Sequence, residues 1–345
     1  MSKKSIKSIF VTGLLLAASL LFSFSSQASD HSPLTYAFVP KSTGNPYNLA
    51  MEKGFTEVIK NSGNTAVICE PLNPYAEDQI PILDSLIVQK VDVIAIAAND
   101  AILLNETLAS AADEGIRLIT VDSDTDPSAR QVFCNQVGND VVAAQLLEAV
   151  LSICKGEGAF AIISTTPYAS NQNAWIEQMK ELMTADPAFE KLRMVDIVYG
   201  EDSREASREE TLKLLKKYPD LEAICAPTAA GIPGVAEAIL EEGSSVKVTG
   251  LGMPSQLSQF VGPDLPCPVF FLWNPKDLGK LAAFTCLSLT SGELTGKAGD
   301  RISVSGLPEE TYEVTQRPGG QGTEILLNEL IAFSAENINE WADVF

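Results

Sequence analysis

The sequence predicts an α/β protein built as two doubly wound parallel-sheet lobes joined by a hinge. Three observations lead there. Short β-branched, apolar runs alternate with amphipathic stretches of helical period along most of the 345-residue chain, the pattern of repeated strand–helix units. The strand-like runs are apolar on both faces, as strands are when helices cover a parallel sheet on both sides. The pattern also restarts: Thr35 to about Asn135 forms one set of units and Gly138 to about Val269 a second. A chain of this length usually divides into two cores.

In the first set, strands are expected at Thr35–Val39, Thr65–Cys69, Val91–Ala97 and Arg117–Val121, where β-branched and apolar residues cluster. Helices with one apolar face are expected at Tyr47–Asn61, Gln79–Gln89 and Ala101–Glu114. The second set opens with a helix at Val141–Cys154. Its strands are Ala159–Ser164, Met194–Tyr199, Leu221–Cys225, Val246–Leu251 and Val269–Leu272, and its further helices are Gln172–Met183, Arg208–Lys217 and Pro233–Glu242. After Trp273 come one more helix, Asp277–Leu289, and a Gly/Pro-rich stretch, Arg317-Pro-Gly-Gly-Gln-Gly322. That helix is expected to return to the first lobe and the final stretch to the second. The division is thus residues 29–136 plus 273–303 against 137–272 plus 304–345.

Residues 1–28 read as a cleaved secretory signal peptide. Lys3, Lys4 and Lys7 precede an apolar run from Ile9 to Phe24, followed by Ser26-Gln-Ala28, a small-x-small cut site. The apolar run falls short of the roughly 20 residues of a membrane span, and no Cys follows it to carry a lipid. A soluble, periplasmic mature chain is expected, away from cytosolic ATP and NAD.

The formal charge is −21, and removing a leader with three lysines and no acid makes it more negative. Such an excess argues against nucleic acid or an anionic membrane as partner. Six cysteines, at positions 69, 134, 154, 225, 267 and 286, lack the close pairing of zinc or redox motifs. Buried thiols serving as small apolar residues account for most of them. His31 is the single histidine, which excludes a His-dependent triad or a multi-His metal site. No cofactor and no metal are expected.

In open α/β sheets, ligands bind beyond the carboxyl ends of the strands. The polar residues there are the candidates: Lys41, Asn45 and Tyr47 after the first strand, Asn99 after the third, Asp122 and Asp124 after the fourth. The second lobe offers Asn171 and Gln172, then Pro227 and Ala229, and finally Trp273 and Asn274. Carboxylates, amides and a lysine hold hydroxyl groups through paired, partly charge-assisted hydrogen bonds. Tyr47 and Trp273 supply faces for the apolar side of a sugar ring. The inventory suits a neutral polyhydroxylated ligand. The rival class is a secreted carbohydrate-active enzyme using Asp122 and Asp124 as acid and base. Against it, the chain shows no nucleophile elbow, phosphate loop or metal cluster.

Several stretches carry a resemblance: Phe38-Val-Pro-Lys41, Val121-Asp-Ser-Asp124, Asn171-Gln-Asn-Ala-Trp-Ile176, Val198-Tyr-Gly200, Ala226-Pro-Thr228, Thr249-Gly-Leu-Gly252 and Leu272-Trp-Asn-Pro275. Through them the mature chain resembles the type I periplasmic sugar-binding proteins of ABC transporters, in the branch that binds rhamnose and autoinducer-2. The resemblance implies that Lys41 and Asp122 bind ligand from the first lobe. It implies Gln172 and the backbone near Pro227 and Ala229 from the second. The autoinducer-2 binders have Asp where this chain has Asn171, so the resemblance favours rhamnose or a similar monosaccharide. It further implies a monomeric receptor that delivers its ligand to permease subunits in the inner membrane and catalyses nothing.

Overall fold

The computed structural model describes residues 32–262 and 264–344. The leader at 1–28 and His31 lie outside the described residues.

The first sheet starts from β1 (Thr35–Val39), α1 (Pro46–Asn61), β2 (Thr65–Ile68), α2 (Ala76–Gln89), β3 (Val93–Ile96), α3 (Asn105–Asp113), β4 (Arg117–Val121) and β5 (Val132–Asn135). These five strands are parallel, in the order β5-β4-β3-β1-β2. Leu83 and Leu86 of α2 and Leu108 of α3 bury one face of it against Ile94 and Ile96. The chain then passes through α4 (Asn139–Ile153), β6 (Gly158–Ser164), α5 (Ser170–Ala185), β7 (Leu192–Tyr199), α6 (Arg204–Lys217), β8 (Leu221–Ala226), α7 (Ile232–Glu241) and β9 (Lys247–Gly250). These strands make a second parallel sheet ordered β7-β6-β8-β9. After α8 (Pro254–Leu257), β10 (Val269–Leu272) joins its edge through a parallel bridge between Leu251 and Phe271.

The C-terminal third departs from the expected division. Helix α9 (Pro275–Ser291) packs on α1 and on β3, β4 and β5, back on the first lobe as anticipated. A small hairpin follows, β11 (Arg301–Ser303) with β12 (Thr311–Glu313), then β13 (Thr315–Gln316) and β14 (Thr323–Leu326). The sequence reading put 304–345 in the second lobe. Instead, β14 pairs parallel with β5, Ile325 opposite Cys134, and β13 adds an antiparallel edge, so the first sheet has seven strands. The cause is the open edge of β5, a strand the sequence reading did not foresee. Ile325 is fully buried there, and Arg130 donates to the carbonyls of Gln321 and Thr323 to hold the Gly-rich turn against the sheet. The chain reaches the second lobe only with β15 (Ile331–Ser334), antiparallel to β10, and α10 (Ile338–Trp341).

The backbone therefore passes between the sheets three times: between β5 and α4, between β10 and α9, and between β14 and β15. Two of these passages run side by side, with Leu327 N–H donating to Asn135 O and Asn328 N–H to Gln136 O. Helices α1 and α9 meet at glycines. A Cβ on Gly54 would strike the carbonyl of Lys276, and one on Gly279 the carbonyl of Met51, so the two backbones touch.

Candidate ligand-binding site

A partly open pocket lies where the carboxyl ends of both sheets face each other. Its first-lobe wall is set by two helix starts. Asn45 caps α1, its side-chain oxygen accepting from Tyr47 N–H at 3.0 Å, with Pro46 at the first helical position. Asn274 caps α9 in the same way, accepting from Lys276 and Asp277 N–H. The caps place Tyr47 and Trp273 side by side, rings edge to face at 6.2 Å between centroids. Trp273 Nε1 donates to the Tyr47 hydroxyl at 2.7 Å, and that hydroxyl donates to Asp122 Oδ1 at 2.7 Å.

Asp122 leaves β4 in the left-handed region, φ 65°, which turns its carboxylate into the cavity. Lys41 Nζ stands 3.8 Å from Asp122 Oδ2 and donates to Asn171 Oδ1 at 2.9 Å. Asn171, from the start of α5, also donates to the Asp122 carbonyl and carboxylate at 3.4 Å. A first-lobe cation, a first-lobe carboxylate and a second-lobe amide thus meet at one point. Burial pushes the Asp122 carboxyl up, against the opposing pull of Lys41 and the Tyr47 hydroxyl. Burial and Asp122 raise the Tyr47 hydroxyl well above its ordinary range, so it remains a donor.

On the second-lobe side, Trp175 lies 6.1 Å from Trp273 between ring centroids. Gln172 is fixed: its carbonyl accepts from Ser164 Oγ, Thr165 N and Thr165 Oγ1, and its amide donates to Pro227 O at 2.9 Å. It ties the end of β6 to the end of β8 and keeps one amide hydrogen for a ligand. Ala229 and Leu251 complete this wall. Asp202, beyond β7, accepts from Ser42 Oγ and Asn45 Nδ2, both at 3.0 Å, across the gap. Burial pushes its carboxyl up, while Asn45, Lys41 and Ser42 pull it down. Lys41 is the one cation among the described lining residues, facing two carboxylates. That balance disfavours an anionic ligand and suits hydroxyl donors.

Of the residues expected from the sequence, Lys41, Asn45, Tyr47, Asp122, Asn171, Gln172, Pro227, Ala229 and Trp273 line this cavity. Three do not. Asp124 accepts from Arg130 Nε and Nη2, from Arg317 Nη1 and from Thr120 Oγ1 at 2.5 to 2.8 Å. Its oxygens are filled, so it can form no acid–base pair with Asp122. Asn99 is spent on backbone, donating to Lys41 O at 2.8 Å while its own N–H bonds Gln79. Asn274 is the α9 cap and contacts no cavity surface. Sequence reasoning passed over Trp175 and Asp202 as site residues. Asp202 was within reach, since it stands three residues past Tyr199 at a strand end.

Residues 36–294 match the family model described as a periplasmic binding protein domain. An ABC transporter solute-binding protein from Clostridium phytofermentas, solved with bound L-rhamnose, is 40% identical; the match covers 91% of this chain and 99% of that one, with a TM-score of 0.89. LsrB from Clostridium saccharobutylicum, solved in complex with AI-2, is 22% identical over 89% of this chain and 99% of its own, with a TM-score of 0.82; at that identity the likeness is one of fold. A curated relative, the D-ribose/D-allose-binding protein of Pseudomonas aeruginosa, is 26% identical over 227 residues, 62% of this chain and 69% of that protein.

Proposed function

The chain belongs to the periplasmic binding protein family, and we propose that it is the exported receptor of a sugar ABC importer whose ligand is L-rhamnose or a closely similar deoxyhexose. One observation carries the reading: Lys41, Asp122 and Asn171 meet from opposite lobes beside the indoles of Trp175 and Trp273. Hydroxyls of the ligand donate to Asp122 and accept from Lys41, Asn171 and the free hydrogen of the Gln172 amide. The indoles cover the apolar face of the ring and its methyl group. The 40% identity to a rhamnose-bound receptor supports the choice of sugar. The lobes close on the ligand by hinge motion about the three connecting strands, and the closed form is what permease subunits receive. The protein acts as a monomer in the periplasm and returns its ligand unaltered.

The test is a thermal-shift screen over L-rhamnose, other deoxyhexoses, D-ribose and autoinducer-2, followed by calorimetry. A ligand at 100 times its Kd stabilises the fold by about 2.7 kcal/mol, an easily read shift. L-Rhamnose is expected to give the largest shift and to be recovered unchanged. A larger shift with autoinducer-2 and none with any deoxyhexose would overturn the ligand assignment, and conversion of the sugar would overturn the receptor reading.

A further inference from the structure

Glu201 and Asp202 form an unusual pair. Both are non-glycine residues in the left-handed region, φ 52° and 49°, at the end of β7. Such a conformation is uncommon outside glycine and persists where the surroundings impose it. Both side chains reach across the gap. Glu201 accepts from the Tyr75 hydroxyl at the rim, away from the cavity, and Asp202 sits in the cavity wall. Its two oxygens are used unequally. Oδ2 takes two first-lobe donors, Ser42 Oγ and Asn45 Nδ2, whereas Oδ1 has only the Thr228 hydroxyl at 3.5 Å, the outer limit of a hydrogen bond. Gln172 beside it has no such vacancy on its carbonyl, which already holds three donors.

We propose that Asp202 reads one ligand hydroxyl through Oδ1 while Oδ2 locks the first lobe, so that a single carboxylate couples recognition to closure. The inference rests on the sugar-receptor reading and adds to it a second acidic contact, on the lobe opposite Asp122. The cavity then grips the sugar between two carboxylates from opposite lobes. Only a ligand with hydroxyl donors at both ends of the ring satisfies both. The ligand class is a pyranose with free hydroxyls on both sides, and a sugar lacking the hydroxyl facing Asp202 leaves a buried carboxylate oxygen unpartnered. Asp202 also repels Asp122, and a hydroxylated ligand seated between them screens that repulsion, which favours closure with ligand over closure without it.

The experiment uses the full mature chain with L-rhamnose and its 2-, 3- and 4-deoxy analogues, read by calorimetry, and small-angle scattering to follow closure. For the native protein, one deoxy analogue is expected to bind roughly tenfold to a hundredfold more weakly, the loss of one charge-assisted hydrogen bond. Asp202→Asn should weaken L-rhamnose and abolish the discrimination against one such analogue while keeping it against others. Glu201→Gln, which touches only the rim, should leave the pattern of discrimination as in the native protein. Ser42→Ala removes a donor to Oδ2 alone and should weaken every analogue by the same factor, with less compaction on binding; it carries the test should Asp202→Asn fail to fold. An unaltered deoxy pattern in Asp202→Asn, or native affinity in Ser42→Ala, overturns the proposal. If the native protein binds none of these sugars, the sugar-receptor reading fails and the inference with it; native binding with an unaltered pattern sinks the inference alone.

Discussion

Asp122 and Asp124 stand two residues apart in one strand-end turn and have opposite surroundings. Asp122 turns through a positive φ into the cavity between the lobes, where Lys41 stands at 3.8 Å and the Tyr47 hydroxyl takes one oxygen. Asp124 points the other way, into a knot with Arg130 and Arg317 that binds the returning C-terminal strands to the first sheet. Position after a strand makes a carboxylate a candidate. The supply of fixed donors around it decides whether it binds a ligand or the fold. A carboxylate whose oxygens are all filled by arginines has no capacity left for a sugar.

The contrast breaks most plainly at Asp124. Asp124→Ala leaves Arg130, whose side chain is 1% exposed, without a carboxylate, while Arg317 keeps its pair with Glu324. The substitution should lower unfolding free energy by about 3–5 kcal/mol, the cost of breaking a buried pair from one side. Ligand affinity in the remaining folded protein should change little. Denaturant titration and calorimetry read the two quantities separately, and equal stability with lost binding would put Asp124 in the site after all.

Asp122→Asn should do the reverse. Asn tolerates the left-handed backbone but can no longer offer a charged acceptor, so binding should weaken by about 1–3 kcal/mol with the fold intact. A stability loss with unaltered affinity would erase the distinction between the two residues.

A smaller effect separates the aromatic wall from the rest. Trp273→Phe removes the donor to the Tyr47 hydroxyl that orients Asp122, which should cost about 1 kcal/mol of affinity. Trp175 and Trp273 both line the cavity, so each Phe variant should remove part of the fluorescence change on sugar binding. Trp341, in α10, should contribute none of it.

Glu52 sharpens the comparison with a carboxylate that has neither role. It is buried in α1, and its Oε1 has no hydrogen-bond partner. Burial, aided by the charge of Glu70, pushes its carboxyl up to about 7 from 4.5. In that window the folded state holds a proton that the unfolded chain has released. Stability should therefore fall as pH rises from 4.5 to about 7 and flatten above it. Glu52→Gln should remove this component of the pH slope in thermal melts, and a slope unchanged by the substitution would rule Glu52 out as its source.

Much of this was legible in the sequence. The strand runs and their restart gave both parallel sheets, and the strand-end rule reached Lys41, Asp122 and Asn171 because a parallel sheet aligns its carboxyl ends. What was hidden depends on tertiary partners. Strands β5 and β14 are four residues each, no shorter than β2 and β3, which were foreseen; it is their pairing with each other that defines them. Asp124 could not be told from Asp122, because Arg317 lies almost two hundred positions away in sequence and reaches it only through β14. Asn274 bonds the local backbone of its own helix start and Asn99 the carbonyl of the distant Lys41, and a sequence cannot distinguish either from a side chain held ready for a ligand. Trp175 reads as an apolar position on a helix, and its indole borders the cavity only because the opposite lobe brings Trp273 against it.

The glycine contact between α1 and α9 carries a consequence for how such a receptor acquires a new ligand. Gly54 and Gly279 press the two helix backbones together, and those helices begin at Asn45 and Asn274, the caps beside Tyr47 and Trp273. The spacing of that aromatic wall is thus set by main-chain contact within the opening turns of the two helices. Diversification on this scaffold is therefore channelled to the opposite lobe, where the segments after β6, β7 and β8, including the start of α5, carry Asn171, Asp202 and Ala229. Libraries aimed at new sugars gain most there, while the helix pair serves as the invariant half of the mould.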